Sequence, residues 1–238
     1  MTLRIFLVCA VLTAACGESA GTSCCAGGGG DGGSGGIAGT GGGVVSDLEV
    51  ATFISGLDKP WDIAWLPNGT VLVTERPGRL NVYVDGVDTQ PFTITPSDVV
   101  STGGEGGMMG LEVDPDFSAN GYVYVCMASN AGDANDVRLV RYELETPNGD
   151  AMVNRTDIVT GMPHNDNSRG RHSGCRPRFG PSGDLWVGTG DAALGTAPQD
   201  DDSLGGKVLR IEEPIYGGAN GALKIAHDMP EEYWEKLK

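Results

Sequence analysis

Three segments of the sequence repeat one local plan, and this repeat constrains the fold more than any other feature. Each segment runs from a strand-like stretch through a proline, a small or acidic residue and a glycine into a second β-type run: IAWLPNGTVLVTE, LEVDPDFSANGYVYV and PRFGPSGDLWVGT. Their prolines, Pro67, Pro115 and Pro181, recur roughly 50 to 65 residues apart, close to the ~40 to 50 residues of known propeller repeats with added loops. A β-sandwich would also give many short strands. Radial repetition explains the repeat better, because each such hairpin needs neighbours to bury its faces.

The rest of the body also has the pattern of short strands. From Ser46 onward, runs rich in branched and aromatic residues are bounded by Gly, Pro, Asn or Asp, among them VLVTE, RLNVYV, GYVYVCM, VRLVRYEL, DLWVGTG and GKVLRI. No helical stretch of convincing length precedes the last dozen residues. We therefore expect residues 46–211 to form an all-β body.

The first 45 residues have the features of a targeting segment and a spacer. MTLR supplies a positive charge, the apolar run Ile5–Leu12 has signal-peptide length, and Thr13-Ala14-Ala15-Cys16 is similar to a bacterial lipoprotein signal with Cys16 as the lipidated residue. Ordinary secretion and an uncleaved anchor are the alternatives. Residues 17–45 read as a Gly-rich flexible tether. These features predict an exported protein, periplasmic or on the cell surface, that meets a membrane only through a lipid anchor.

The charge of the chain excludes one class of partner, and its cysteines leave one question open. The formal net charge of −16 argues against nucleic-acid binding, which needs clustered Lys and Arg to neutralise phosphates. Four of the six cysteines lie in the first 25 residues, so only Cys126 and Cys175 belong to the body. Outside the cytoplasm these two could pair, but the sequence does not give the distance between them.

The segment RHSGCRPRFGPSGDLWVGTGDAA, residues 171–193, holds one of only three histidines in the chain. His172 opens the first of two short strands, and Asp191 follows the second. Histidine is the simplest proton acceptor near neutral pH, and a carboxylate on its other nitrogen would fix the tautomer and stabilise the imidazolium. Asp191 could instead cap a turn, as Asp often does after Gly.

Four motifs in order are similar to the N-terminal half of the soluble PQQ-dependent sugar dehydrogenases, which include glucose, aldose sugar and sorbosone dehydrogenase-like proteins. The motifs are GLDKPWDIAWLPNGTVLVTERPGRL, GEGGMMGLEVDPDFSANGYVYV, HSGCRPRFGPSGDLWVGTGDAA and PQDDDSLGGKVLRI. The resemblance covers roughly Leu48 to Ile211. It implies a six-bladed β-propeller that binds pyrroloquinoline quinone (PQQ) in a polar groove on one face, with calcium beside it.

The same resemblance implies the activity and the residues of the site. The activity is oxidation of an aldose sugar at its anomeric carbon, with electrons passed to an external acceptor. His172 matches the catalytic base of the family and Asp191 its acidic partner. Glu105 and Arg176 match positions that bind cofactor or substrate. Glu105 between glycines could also be an ordinary loop acid.

The remaining sequence leaves alternatives open. The body has room for about three to four blades of the six. Residues 212–238 match none of the later family motifs. The last part of this tail, DMPEEYWEKLK, predicts a short helix with Asp228 as N-cap. We therefore expect an incomplete propeller, either shortened, paired with another half, or rearranged, with a homo-oligomer as one way to cover open strand edges.

The function also has alternatives. The chain is either a quinoprotein oxidoreductase, inactive if shortened, or a noncatalytic propeller fragment that serves as a binding or scaffold module. A calcium-dependent sugar lactonase is a weaker option. The acidic run Asp200–Asp202 favours a solvated turn over a calcium loop, and no metal ligands are assigned.

Overall fold

The first sheet shows how the repeated turn joins two strands. The computed structural model describes residues 50–84, 86–101, 103–133, 135–145 and 151–211, and the backbone of Leu223–Ile225. The first sheet is an antiparallel meander of four strands in chain order: β1 (Pro60–Trp65), β2 (Val71–Glu75), β3 (Arg79–Tyr83) and β4 (Phe92–Ile94). Between β1 and β2, Leu66 accepts the N–H of Gly69 and donates its own N–H to Thr70, each at 2.9 Å. These two bonds close the Pro-Asn-Gly turn.

The second sheet has the same order and carries a one-turn helix where the first sheet has a tight turn. Its strands are β5 (Met108–Val113), β6 (Tyr122–Ser129), β7 (Asp136–Glu145) and β8 (Ala151–Pro163). The helix α1 (Phe117–Asn120) lies between β5 and β6 and ends at Gly121, whose φ of 68° is left-handed. The N–H of Asp114 donates to Tyr122 at 3.1 Å, so the longer connection is closed by the same kind of bond.

The third sheet repeats the turn of the first almost bond for bond. Its strands are β9 (Gly174–Phe179), β10 (Leu185–Thr189), β11 (Val208–Ile211) and β12 (Leu223–Ile225). Gly180 accepts the N–H of Gly183 at 3.0 Å and donates to Asp184 at 2.8 Å, as Leu66 does with Gly69 and Thr70. The repeat seen in the sequence is therefore a repeat of backbone geometry.

The middle sheet is buried on both faces. In β6 alternate side chains face opposite ways: Val123 and Val125 pack in a core shared with the first sheet, whereas Tyr124 and Cys126 pack in a core shared with the third. This two-sided burial explains why β6 is an almost continuous apolar run instead of an alternating one. Three four-stranded sheets that stack face to face, with their first strands in contact, are successive blades of a propeller.

The fold class predicted from the sequence is confirmed. The described part of the chain is nearly all β, with one short α-helix. No helix in the described ranges is long and apolar enough to cross a membrane. The proposed signal peptide with Cys16, the tether and the C-terminal helix of residues 212–238 lie outside the described residues.

Candidate active site at the strand-start face

The segments that precede the first strand of each blade lie at one end of the sheets. The loop before β5 meets the turn after β2, where Met108 donates to Arg76 at 3.3 Å, and Glu105 donates to Arg169 of the segment before β9 at 3.1 Å. We call this end the strand-start face; it is formed by residues 57–59, 76–78, 103–107, 164–173 and 190–206. Because strands alternate in direction, the Pro-Gly turns after β1 and β9 lie at the opposite end.

His172 and Asp191 meet at this face. Nδ1 of His172 lies 2.9 Å from Oδ1 of Asp191, with 52% and 32% of the two side chains exposed. The pair sits at the open end of the β9–β10 hairpin, where Gly174 is the register partner of Thr189. The structure therefore brings together the two residues that the sequence singled out as base and partner, and leaves the ring within reach of solvent.

The Asp191 carboxyl is held in its ionised form. Its Oδ1 accepts the backbone N–H of Ala193 at 2.8 Å. This bond and then the hydrogen bond from His172 lower the pKa of Asp191 below its usual value. An ionised carboxylate only accepts hydrogen bonds, so Nδ1 of His172 is the donor and carries the proton in the neutral ring. The lone pair of Nε2 is then available to accept another proton.

Glu105 contacts the backbone of His172. Its Oε2 accepts the N–H of His172 at 2.6 Å, although the two residues are 67 positions apart. The sequence did not predict this contact between Glu105 and the backbone of His172. The expected role of Glu105 as a cofactor or substrate ligand stays a prediction.

The backbone around the pair is unusually strained. Among the described residues, seven non-glycine residues have positive φ, and five of them lie between positions 169 and 193: Arg169, His172, Cys175, Ala192 and Ala193. Such conformations cost free energy and persist only where surrounding contacts enforce them. Gly190 shows how tight these contacts are, since a Cβ there would lie 1.6 Å from the carbonyl oxygen of His172.

Arg176 lies in a different environment from the pair. Its guanidinium stacks over the ring of Trp61 at 4.4 Å and reaches Asp62 at 3.4 Å, and half of the side chain is exposed. Within the described ranges no hydrogen bond or ion pair joins Arg176 to His172, Asp191 or Glu105. Its predicted role in binding cofactor or substrate stays a prediction.

A carboxylate that the sequence analysis missed joins the three blades. Buried Asp62 of β1 accepts two bonds from Arg178 of β9, at 2.9 and 3.1 Å, and the N–H of Leu111 of β5 at 3.0 Å. Arg178 also donates to the carbonyl oxygen of Leu111 at 2.9 Å. A charged residue inside a β run was the available signal, because a buried carboxylate requires partners.

Cys126 and Cys175 form a disulfide, which answers the question that the sequence left open. The bond joins β6 of the second blade to β9 of the third, with the two Cα atoms 5.6 Å apart. Cys175 is three positions from His172, so the disulfide fixes the start of the strand that His172 precedes.

The described residues contain no group of three or more His, Cys, Asp or Glu side chains that could hold a metal ion. In the acidic run, Asp202 donates its backbone N–H to the carboxylate of Asp200 at 3.0 Å. All three aspartates of this run are exposed.

The fold and the site define a class: a β-propeller protein with an exposed histidine, oriented by an ionised carboxylate, at the face where its blades begin. Comparison with known sequences narrows this class. The sequence profile of the Glucose / Sorbosone dehydrogenase family matches residues 57–219. The chain belongs to this family.

Named relatives agree with this assignment. The chain is 28% identical to aldose sugar dehydrogenase YliI of Escherichia coli over 66% of its own length and 42% of the relative's. It is 26% identical to quinoprotein glucose dehydrogenase B of Acinetobacter calcoaceticus, over 58% and 30% of the two lengths. The PQQ-bound aldose sugar dehydrogenase of Streptomyces coelicolor has a similar structure, with a TM-score of 0.59, 32% identity and coverage of 71% of this chain and 49% of that one. The chain thus spans less than half the length of these relatives.

Proposed function

We propose that the protein acts as a PQQ-dependent oxidoreductase that oxidises an aldose sugar at its anomeric carbon and passes the electrons to an external acceptor. The observation that carries this proposal is the His172–Asp191 pair, exposed at the strand-start face of a chain that belongs to the Glucose / Sorbosone dehydrogenase family. The family supplies the reaction class, and the pair supplies a group able to perform its proton transfer.

His172 would remove the proton from the sugar hydroxyl. Its Nδ1 is hydrogen-bonded to Asp191 at 2.9 Å, so Nε2 of the half-exposed ring is the nitrogen that would contact a substrate. Once Nε2 accepts the proton, the ring becomes an imidazolium, which the ionised carboxylate of Asp191 stabilises. The Glu105 carboxylate accepts the backbone N–H of His172, and the N–H of Ala192 donates to the carbonyl oxygen of His172.

One exposed cation of β9, outside the strand-start face, fits the binding of an anionic quinone in part. PQQ, when bound, would supply the carbon that accepts the hydride. Arg176 would hold a cofactor carboxylate, because its half-exposed guanidinium stacks on Trp61 and has a 3.4 Å contact to Asp62. Calcium belongs to the proposal through the family resemblance alone, and its ligands are not assigned.

The remaining parts of the proposal follow from the sequence. Export to the periplasm or cell surface with a lipid anchor at Cys16 would place the site where external sugars and an electron acceptor are accessible. Association of two chains would cover open strand edges. Mass determination of Cys16-containing peptides and the solution mass of the protein would test these two parts separately.

The experiment that tests the function is a titration of the full chain with PQQ and calcium, followed by dye reduction on addition of an aldose. We expect a saturable change in PQQ absorbance and sugar-dependent reduction. His172→Ala should lower the rate about 10²- to 10⁴-fold, which corresponds to about 3 to 5 kcal/mol of barrier. His227→Ala is the matched control, since it removes a histidine to which no role is assigned.

Absence of both the spectral change and dye reduction in a demonstrably folded sample would contradict the enzyme proposal. That result would favour the alternative of a noncatalytic propeller module. Dye reduction that His172→Ala leaves unchanged would retain the activity and reject His172 as the base.

A further inference from the structure

The bond from His172 to Glu105 connects two blades at the candidate active site. The backbone N–H of His172 donates to the Glu105 carboxylate at 2.6 Å, a short distance that is typical of a charge-assisted hydrogen bond. We propose that Glu105 is a positioning residue, which holds the backbone of His172 and thereby sets the imidazole against Asp191. The kinetic consequence of this inference rests on the proposed function, whereas the contact itself involves only atoms of this chain.

His172 needs such an anchor because of its backbone conformation. Its φ of 57° is left-handed, a region that a β-carbon disfavours. Two contacts from the third blade restrain the residue: the N–H of Ala192 donates to its carbonyl oxygen at 3.2 Å, and Asp191 binds its ring. Glu105 supplies the contact to the remaining backbone group of His172, and it does so from the second blade.

Glu105 is itself held firmly enough to act as an anchor. Its backbone N–H donates to the carbonyl oxygen of Arg169 at 3.1 Å. At the neighbouring Gly104, a Cβ would lie 2.1 Å from that same oxygen, so the two loops touch backbone to backbone. Two hydrogen bonds therefore join the loop before β5 to the segment before β9. The N–H of Glu105 donates to Arg169, and the N–H of His172 donates to the Glu105 carboxylate.

Two roles of Glu105 predict different measurements. A ligand of the sugar or cofactor would change binding when it is removed, and the geometry of His172 would stay the same. A positioning residue would change the environment of His172 even when no ligand is added. The amide and ring signals of the histidines separate these roles.

The experiment uses the full chain labelled with ¹⁵N at histidine, which gives three amide signals from the three histidines of the sequence. His172→Gln identifies the signal of His172 by its disappearance. We expect the His172 amide proton to resonate downfield and to exchange slowly, as a short bond to a carboxylate requires. Glu105→Ala should move it upfield and accelerate its exchange, and Glu105→Gln should give an intermediate shift, since a neutral oxygen accepts a weaker bond.

The ¹⁵N signal of the His172 ring supplies the decisive readout. In Glu105→Ala we expect the Nδ1 signal to lose the signature of its bond to Asp191. The matched control is Glu143→Ala, which removes a carboxylate from β7 of the same blade, where Glu143 contacts exposed Asn154. This control should leave the amide and ring signals of His172 unchanged.

Each outcome decides the proposal. Unchanged amide and ring signals in folded Glu105→Ala would overturn it, and so would an amide shift without a change in the ring. If Glu105→Ala does not fold, Glu105→Gln decides, because it keeps the size and an acceptor oxygen: a change in both the amide and the ring signals of His172 supports the proposal, and an unchanged ring signal rejects it.

Kinetics then separate this proposal from the proposed function. If the chain reduces dye with sugar, Glu105→Ala should lower kcat roughly 10- to 100-fold with KM unchanged, as expected for a misplaced base. A raised KM with unchanged kcat would reject positioning and assign Glu105 to substrate binding. If no sugar-dependent reduction occurs, the proposed function fails, and the NMR comparison still decides the role of Glu105.

Discussion

Nδ1 of His172 and Oδ1 of Asp191 lie 2.9 Å apart although 19 positions separate them in the sequence. The β9–β10 hairpin explains this proximity, because His172 precedes its first strand and Asp191 follows its second. An antiparallel hairpin returns the chain to its starting level, so residues just outside the two strands meet. The hairpin therefore brings the two residues to the same end of the sheet, and Glu105 of the neighbouring blade contacts the backbone of His172 there.

The lowered pKa of Asp191 predicts how the pair responds to acid. A carboxyl whose pKa falls on folding stabilises the folded state above its ordinary pKa of about 4, and this contribution disappears as the pH falls through the folded value. The ionised partner of His172 should therefore persist below pH 4. Carboxyl ¹³C NMR should give a pKa for Asp191 below the ordinary value.

The same titration tests the cause of that shift. The Ala193 N–H is the main cause and His172 the second, so His172→Ala should raise the pKa of Asp191 only in part. A complete return to the ordinary value in this variant would show that the turn after Asp191 does not hold the carboxylate.

Two glycines of the sequence Gly188-Thr189-Gly190 should respond oppositely to the same substitution. Gly190→Ala would place a Cβ 1.6 Å from the His172 carbonyl oxygen, whereas a Cβ at Gly188 meets nothing within 4 Å. Gly190→Ala should cost about 2 kcal/mol or more in unfolding free energy and disturb the histidine signals. Gly188→Ala should stabilise the strand by about 0.5 kcal/mol. Equal stabilities in urea unfolding would contradict the close approach at Gly190.

Removal of the Asp62 carboxylate should lower the free energy of unfolding far more than removal of a neighbouring surface carboxylate. Asp62→Ala removes the buried carboxylate that joins Arg178 and Leu111, and we expect a loss of about 3 kcal/mol. Asp58→Ala is the matched control, since its carboxylate is more than half exposed in a surface pair with Arg79. It should cost less than about 0.5 kcal/mol. Urea unfolding of both variants checks the difference.

The disulfide should stabilise the body by restricting the unfolded chain. Cys126 and Cys175 are separated by 49 positions, a loop for which chain entropy predicts about 4 kcal/mol. The double variant Cys126→Ala with Cys175→Ala should lose roughly this amount in denaturant unfolding. Peptide mapping without reductant should recover the two cysteines in one linked fragment, and separate fragments with free thiols would contradict the pairing.

Several features were predictable from the sequence because their causes are local. Alternating branched residues, a proline and a glycine specify a strand, a turn and a second strand within about a dozen residues. The hairpin that follows from this pattern also places His172 beside Asp191. The all-β fold class could therefore be predicted from the residues alone, whereas the roles of His172 and Asp191 were predicted through the family resemblance.

Other features depended on how the blades stack. Asp62 and Arg178 are 116 positions apart, Glu105 and His172 are 67 apart, and Cys126 and Cys175 are 49 apart. Each of these pairs joins two blades, and no turn or periodic rule relates residues in different blades. The sequence by itself determined the strands, the turns and the hairpin that carries the histidine pair. Only the tertiary structure decided which side chains hold that pair in place, because such contacts depend on the distances between packed sheets.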